Sequence, residues 1–296
     1  MSPQVSVIVN CFNGEKYLRR ALDSIICQTY HDLEVIFWDN MSTDRSAQIF
    51  KSYDDPRFRY FLAPRHTLLY EARNYAIEKA RGSFIAFLDV DDWWLPNKLE
   101  TQVARFSDPD VGVVCSNYLV FNQSRNRTRP AYSGSRSSGY VIDELLRTYY
   151  VGLLTLMIRK SALQSLPYAC NPDYHVIGDF DLVIRLLVNW KLSYVDEPLA
   201  VFRLHGENES ITARSRHIHE LKQWVSKMKG DPVISKSKGF PFVQQYADYI
   251  RGMSFVMQHE KKQAILVWWR LPWSFYKLRL LAAILLPYQL VRSLKH

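Results

Sequence analysis

From residue 5 to about 115 the chain alternates between two hydrophobic periods, and few folds satisfy that alternation. The runs "VSVIV", "LEVIFWD", "FRYFL", "SFIAFLD" and "VGVVCS" are β-branched or aromatic, short, and bounded by turn residues, as strands are. The segments between them have helical spacing. In the first, Tyr17, Leu18, Ala21, Leu22, Ile25 and Ile26 share one face, with Asn13 as the expected N-cap. This βαβα order predicts an α/β domain with a mostly parallel central sheet flanked by helices on both faces. Ligands of such sheets bind beyond the carboxyl ends of the strands. "NCFNG" follows the first strand, "DNMSTD" the second, and Asp89, Asp91 and Asp92 the fourth. Three loops distant in sequence are thus expected to meet at one crevice.

Further along, "QSRNRTRPAYSGSRSSG" (123–139) has no apolar period and reads as a mobile basic loop. A helix near "VIDELLRTYY", a strand near "LLTLMIRK", a helix from "GDFDLVIRLLVNW" and a return to the sheet through "LSYVDEPLAVFRLH" follow. After about residue 212 helical segments dominate. The stretch from residue 264 mixes Trp, Leu and Ile with Lys and Arg, and its charges and prolines break every run before a membrane span is reached. It reads as an interfacial amphipathic helix pair or as a packed helical appendage. Lys and Arg total 38 against 29 Asp and Glu, a net charge of +9, which suits a phosphate-bearing ligand or an anionic membrane surface. Cys11, Cys27, Cys115 and Cys170 lie far apart with no CxxC pair, which argues for reduced core residues rather than a zinc site or disulfide framework. The N-terminus enters an apolar β-branched run without a leader-like segment, so a cytoplasmic location is expected.

Three carboxylates closing an apolar strand have three readings: a metal site, an acid/base pair, or loop capping. On an extended segment Asp89 and Asp91, as a D-x-D, share a face. They would repel unless a cation or hydrogen-bond donors compensated, and a hard divalent ion bridging to phosphate oxygens does so.

The blocks "VSVIVNCFNGEKYLRRALDSIICQTYHDLEVIFWDNMSTDRS", "EARNYAIEKARGSFIAFLDVDDWWLPNKLE" and "GDFDLVIRL", in this order over residues 3 to 206, resemble the family 2 glycosyltransferases. The resemblance implies a GT-A-type, Rossmann-like fold over residues 1–211 and an inverting glycosyltransferase. Residues 1–117 would be the nucleotide-sugar-binding half and 118–211 the acceptor-binding half, with 212–296 as a helical C-terminal region. It further implies a UDP-sugar donor, Mn²⁺ or Mg²⁺, and a glycan or lipid-linked acceptor, without nucleic acid; the expectation of a peripheral place at the inner face of the cell membrane rests instead on the basic balance and the C-terminal mixture of Trp, Leu and Arg. Phe12 and Asn13 would lie against the nucleoside, Asp39 would accept from the uracil N–H, and Arg73 would sit near the base or diphosphate. Asp89 would reach the ribose or sugar, Asp91 would ligate the metal, and Asp92 would contact the sugar or cap the helix near "PNKLE". Trp93 and Trp94 would wall the sugar pocket or pack.

In "GDFDL", Asp179 would be the general base, with Asp181 as the lesser candidate; Asp179 also stands where an N-cap would. His205 in "FRLHGENES" would reach the metal or diphosphate. The chain departs from the family pattern at Asn40 and Met41, where an acid and a glycine are usual. It also departs at Gly178, where an acid is usual, and ahead of "ARN", where a glycine is replaced. Two other readings stay open: a sugar-nucleotide-binding protein without turnover, and a nucleotidyltransferase, which would release pyrophosphate.

Overall fold

The computed structural model describes residues 3–208 and 212–286. Nine strands among these residues form one sheet: β1 (Val5–Cys11), β2 (Leu33–Asp39), β3 (Phe58–Leu62), β4 (Phe84–Phe87), β5 (Trp93–Trp94), β6 (Val111–Asn122), β7 (Arg127–Pro130), β8 (Met157–Arg159) and β9 (Lys191–Leu204). The order is β3-β2-β1-β4-β8-β6-β9-β5, with β7 paired outside β6. The first four are parallel, as their alternation with helices α1 (Leu18–Ile26), α2 (Ser46–Lys51) and α3 (Leu69–Glu78) requires. Beyond β4 the sheet is mixed: β8 runs antiparallel to β4 and β6, whereas β6 and β9 are parallel.

Every residue of β1 and β2 is buried, because helices cover both faces. α1 lays Leu18, Ala21, Leu22 and Ile25 against Val5, Val7 and Val9. Its cap is not Asn13: the helix starts at Leu18, whose N–H reaches Gly14 O. Asn13 has φ +53° and turns its side chain toward the next loop instead. A Cβ on Gly14 would lie 2.9 Å from both Cys11 Sγ and Val90 Cγ2, so only glycine lets this loop close over the end of the sheet.

The segment 123–139 contains structure that the sequence reading placed in a loop. Residues 127–130 form β7 and extend β6 as a hairpin. All four are exposed, and an edge strand with both faces in solvent needs no apolar alternation, which is why it carries no period. α4 (Lys98–Val103) precedes β6, and α5 (Ile142–Arg147), α6 (Lys160–Gln164) and α7 (Gly178–Leu186) follow β7.

The chain divides into two compact units. Residues 1–141 with 149–208 hold the sheet. Residues 142–148 join 212–286, so α5 lies in the C-terminal unit although the sequence reading kept it with the sheet. The helices of that unit are Arg214–Met228, Phe240–Met257, Lys261–Arg270 and Phe275–Leu285. Among the described residues no helix is long and apolar enough to cross a membrane. The expected boundary at 211/212 and the last part of the amphipathic stretch, 287–296, fall at or outside the limits of the described residues.

Candidate active site

The β1 and β2 loops are sewn together at the carboxyl edge. Asn13 N donates to Ser42 Oγ at 3.0 Å, Thr43 N to Asn13 Oδ1 at 2.8 Å, Gly14 N to Ser46 Oγ at 2.9 Å and Glu15 N to Asp44 Oδ2 at 2.9 Å. Phe12 stands half exposed beside them, its ring 4.3 Å from that of His66, so it is not a core residue. Asp39 is only 1% exposed; its Oδ1 accepts from Ser42 N at 2.8 Å and its Oδ2 from the Tyr60 hydroxyl at 2.6 Å. It anchors the loop, and each oxygen keeps a second lone pair. Asn40 donates to Thr67 O at 2.8 Å and accepts from Thr67 N and Oγ1, both at 3.2 Å. A carboxylate cannot donate, so the amide at this position pins the segment before α3 in a way an acid could not. Met41 takes φ +70°, the left-handed conformation that glycine adopts without strain.

The three aspartates do not lie on an extended segment. β4 ends at Phe87, and Asp92 N donates to Asp89 O at 3.1 Å, so 89–92 is a turn, and each carboxylate takes a different partner. Asp89 Oδ1 pairs with Arg73 Nη2 at 2.7 Å, and Arg73 is buried rather than a surface charge. Asp91 Oδ2 lies 3.0 Å from His205 Nε2 and 3.4 Å from Asn208 Nδ2. His205 is held by its own backbone N–H donating to Asn208 Oδ1 at 2.6 Å, and its Nδ1 accepts from Glu207 N at 3.2 Å, which aims Nε2 at Asp91. Burial and the neighbouring Asp89 raise the Asp91 carboxyl above the ordinary range, with His205 opposing.

Asp92 is not the cap of α4, which is preceded by Asn97; it is buried and accepts from Arg203 N of β9 at 2.8 Å. Burial, then Asp91 and Asp89, push its carboxyl well up. Arg203 completes the clamp: its Nε donates to Asp91 O at 2.8 Å, and its guanidinium lies 4.6 Å from the Tyr17 ring centroid and 4.8 Å from that of Trp93. Trp94 packs inside, its Nε1 donating to Leu154 O at 2.8 Å.

On the other side of Arg73, α7 carries Asp179 in its first turn, where the helix dipole favours a negative charge. It is not the N-cap, which is Ile177. The Tyr70 hydroxyl donates to Asp179 Oδ1 at 3.1 Å, and Arg73 Cζ lies 4.8 Å from the Tyr70 ring centroid. Burial raises the Asp179 carboxyl, with Arg73 the main opposing influence. Asp181 is buried in an ion pair with Arg185 Nε at 2.8 Å, four residues along the same helix. The order Asp89, Arg73, Tyr70, Asp179 thus joins the aspartate turn to α7. Tyr70, Asn208 and Arg203 escaped the sequence reading. Tyr70 reads as an ordinary helical core aromatic, and the other two act through pairs of distant positions.

Asp91 and His205 fit a divalent ion. Their facing atoms, Oδ2 and Nε2, lie 3.0 Å apart, and His205 would ligate an ion there in the tautomer with its proton on Nδ1, giving up the bond from Glu207 N. Among the described residues no group of three or more His, Cys, Asp or Glu side chains forms a cage, so further ligands would come from phosphate or water.

Three known proteins bear on this arrangement. Staphylococcus aureus TarS, residues 1–349 in complex with UDP-GlcNAc, superposes with a TM-score of 0.64 at 18% identity, covering 86% of this chain and 72% of that one. The mannosyltransferase PcManGT of Pyrobaculum calidifontis, in complex with GDP-Man and Mn²⁺, gives a TM-score of 0.64 at 19% identity over 99% of this chain and 83% of that one. The fold is therefore the GT-A type of these glycosyltransferases. In sequence, the chain is 29% identical over 174 residues to Escherichia coli WfgD, a UDP-Glc:α-D-GlcNAc-diphosphoundecaprenol β-1,3-glucosyltransferase. The match covers 58% of this chain and 67% of that protein. Residues 6–165, more than half of the chain, match the family described as glycosyl transferase family 2, and the chain is a glycosyltransferase belonging to that family.

Proposed function

We propose that the chain transfers a sugar from a UDP-sugar to a hydroxyl of a glycan or lipid-linked acceptor with inversion at the anomeric carbon. The observation that carries this reading is the meeting, at one sheet edge, of the Asp91–His205 pair and Asp179, linked through Asp89, Arg73 and Tyr70. The UDP-linked donors named for WfgD and TarS, and the diphosphoundecaprenol-linked acceptor named for WfgD, support the substrate classes. Residues 1–117 would hold the donor and 118–211 much of the acceptor site.

In this mechanism the nucleoside rests on the rim formed by Phe12 and Asn13, near Asp39, with Arg73 and Asp89 beside the diphosphate and sugar. Asp91 and His205 would hold Mn²⁺ or Mg²⁺, and the ion would supply positive charge to offset that of the diphosphate. Asp179 takes the proton of the acceptor hydroxyl as its oxygen attacks the anomeric carbon. The bond from that carbon to UDP breaks on the opposite side, so one displacement inverts the centre. A panel of UDP-sugars, with GDP-mannose as comparison, offered with Mn²⁺ and GlcNAc linked to a prenyl diphosphate tests the reading. Sustained UDP release with formation of glycosylated product is expected. Donor binding without turnover across the panel would favour the non-catalytic alternative, and pyrophosphate release the nucleotidyltransferase one.

The C-terminal unit is proposed to rest on an anionic membrane surface at the cytoplasmic face. Trp269, Trp273 and Phe275 are 69%, 78% and 69% exposed around the turn between its last two helices. From 261 to 285 the chain has five basic residues and no acidic ones. Aromatic side chains among cations suit the boundary between headgroups and acyl chains. In flotation with vesicles containing phosphatidylglycerol, the Trp269→Ala, Trp273→Ala, Phe275→Ala triple variant is expected to stay largely in the unbound fraction while the parent chain floats. Equal flotation of the two proteins would reject this surface.

A further inference from the structure

We infer that Tyr70 is the positioning residue for Asp179, and that position 178 is glycine because the Tyr70 ring fills the space a side chain there would need. The inference rests on the reading of Asp179 as the general base.

Two independent observations carry it. The first is a contact of shape. A Cβ built on Gly178 would lie 2.5 Å from Tyr70 Cδ2 and 2.6 Å from both Cε2 and Cγ. These are atoms of the ring body, not the yielding tip of a long side chain, and Tyr70 is only 3% exposed. α3 fixes the ring from its own backbone. One turn on, Arg73 lies against it at 4.8 Å and is itself held by Asp89 at 2.7 Å. The ring has no room to retreat.

The second is a contact of chemistry. The Tyr70 hydroxyl has one proton and two acceptors in reach, Asp179 Oδ1 at 3.1 Å and Val176 O at 3.4 Å. The carboxylate is the nearer and, when ionised, the stronger acceptor. Burial keeps the phenol protonated, so it remains a donor whenever Asp179 is charged. A side chain whose one carboxylate oxygen is tethered loses rotamer freedom, and a base must be held within a few tenths of an ångström of the proton it takes. The groups bearing on Asp179 are Tyr70 and Arg73 from α3, the N–H of Phe180 in α7, Cys170 from the loop before α7, and Tyr149 from the segment after α5. Of these side chains, the structure shows Tyr70 donating a hydrogen bond to the carboxylate. Removing the phenol would therefore weaken both its orientation and its ionised form.

Tyr70→Phe keeps the ring, its contact with Gly178 and its stack on Arg73, and deletes only the hydroxyl. The expected result is a fall in kcat on the order of tenfold, an unchanged donor KM, and an acid limb of the pH–kcat profile displaced to higher pH. An unchanged kcat and an unmoved limb would overturn the positioning role. Asp179→Asn, measured beside it, separates the two levels. If that variant keeps full turnover, the base reading itself fails; if it is inactive while Tyr70→Phe behaves as wild type, only the present inference fails. The steric half is read from Tm in a double-mutant cycle. Gly178→Ala is expected to lower Tm in the parent chain and to have no such effect in a Tyr70→Ala background. Equal effects in both backgrounds would overturn it.

Discussion

Asp179→Asn is expected to lower UDP release by roughly 10²- to 10⁴-fold, the range contributed by a positioned general base, while donor affinity and fold are retained. The amide has nearly the shape of the carboxylate and still offers the Tyr70 hydroxyl an acceptor, so the packing around α7 has no reason to change. Its pH behaviour follows from the direction of the Asp179 shift. Burial raises this carboxyl in the folded protein, and the base works only when ionised. Activity of the parent chain should therefore be lost as pH falls through a midpoint above the ordinary carboxylate range. For stability the sign is opposite. A carboxyl raised by folding contributes stability at pH below its unfolded pKa, and this is lost as pH rises through the folded one. At neutral pH the ionised Asp179 is thus a burden that Asn removes, so the variant's Tm should equal or exceed the parent's. Rates by UDP release and Tm by calorimetry at the same pH check both halves. A variant as active as the parent would remove Asp179 from the mechanism, whereas a lower Tm would show that the residue serves the fold.

How much of this could be read from the sequence depended on whether the physics was local. β1 and β2 were legible because strands buried on both faces are nearly continuous apolar runs, and α1 because four of its residues form one buried stripe. β7 was not, since an exposed edge strand has no stripe to show. The carboxylates were legible as a class, and the family resemblance already set His205 beside Asp91 at one metal, but no local period spells these pairings and nothing paired Asp92 with Arg203. Asp91 meets His205 across 114 positions and Asp92 meets Arg203 across 111. The turn that gives each its own partner depends on a backbone bond between Asp92 and Asp89 that no periodicity records. The departures from the family pattern became intelligible only with their partners in view. Asn40 is an amide because it both donates to and accepts from Thr67, and Gly178 faces the ring of Tyr70, 108 positions away in sequence.

The second large effect is expected at Asp91. Asp91→Ala should abolish the Mn²⁺-dependent part of UDP binding and lower turnover at fixed Mn²⁺ by more than about 100-fold, since loss even of a residue supporting a metal ligand costs 10–100-fold. The arrangement explains why the loss should be selective. Asp91 is raised by burial and by Asp89, so the fold alone opposes its charge, and a bound cation is what would favour it. Without Asp91, His205 keeps its tether to Asn208 but faces no carboxylate, and one nitrogen is a poor site for a hard ion. The rim at Phe12 and Asn13 is untouched, so weak UDP binding in EDTA should match that of the parent chain. Folding should be spared, because the backbone oxygen that Arg203 uses at this residue remains and a repulsion with the partly exposed Asp89 is relieved. Calorimetric titration of UDP with Mn²⁺ and with EDTA gives the two terms separately. If Asp91→Ala binds UDP as tightly as the parent in Mn²⁺, the metal does not sit between Asp91 and His205, and the diphosphate must be neutralised by the guanidinium groups of this edge instead.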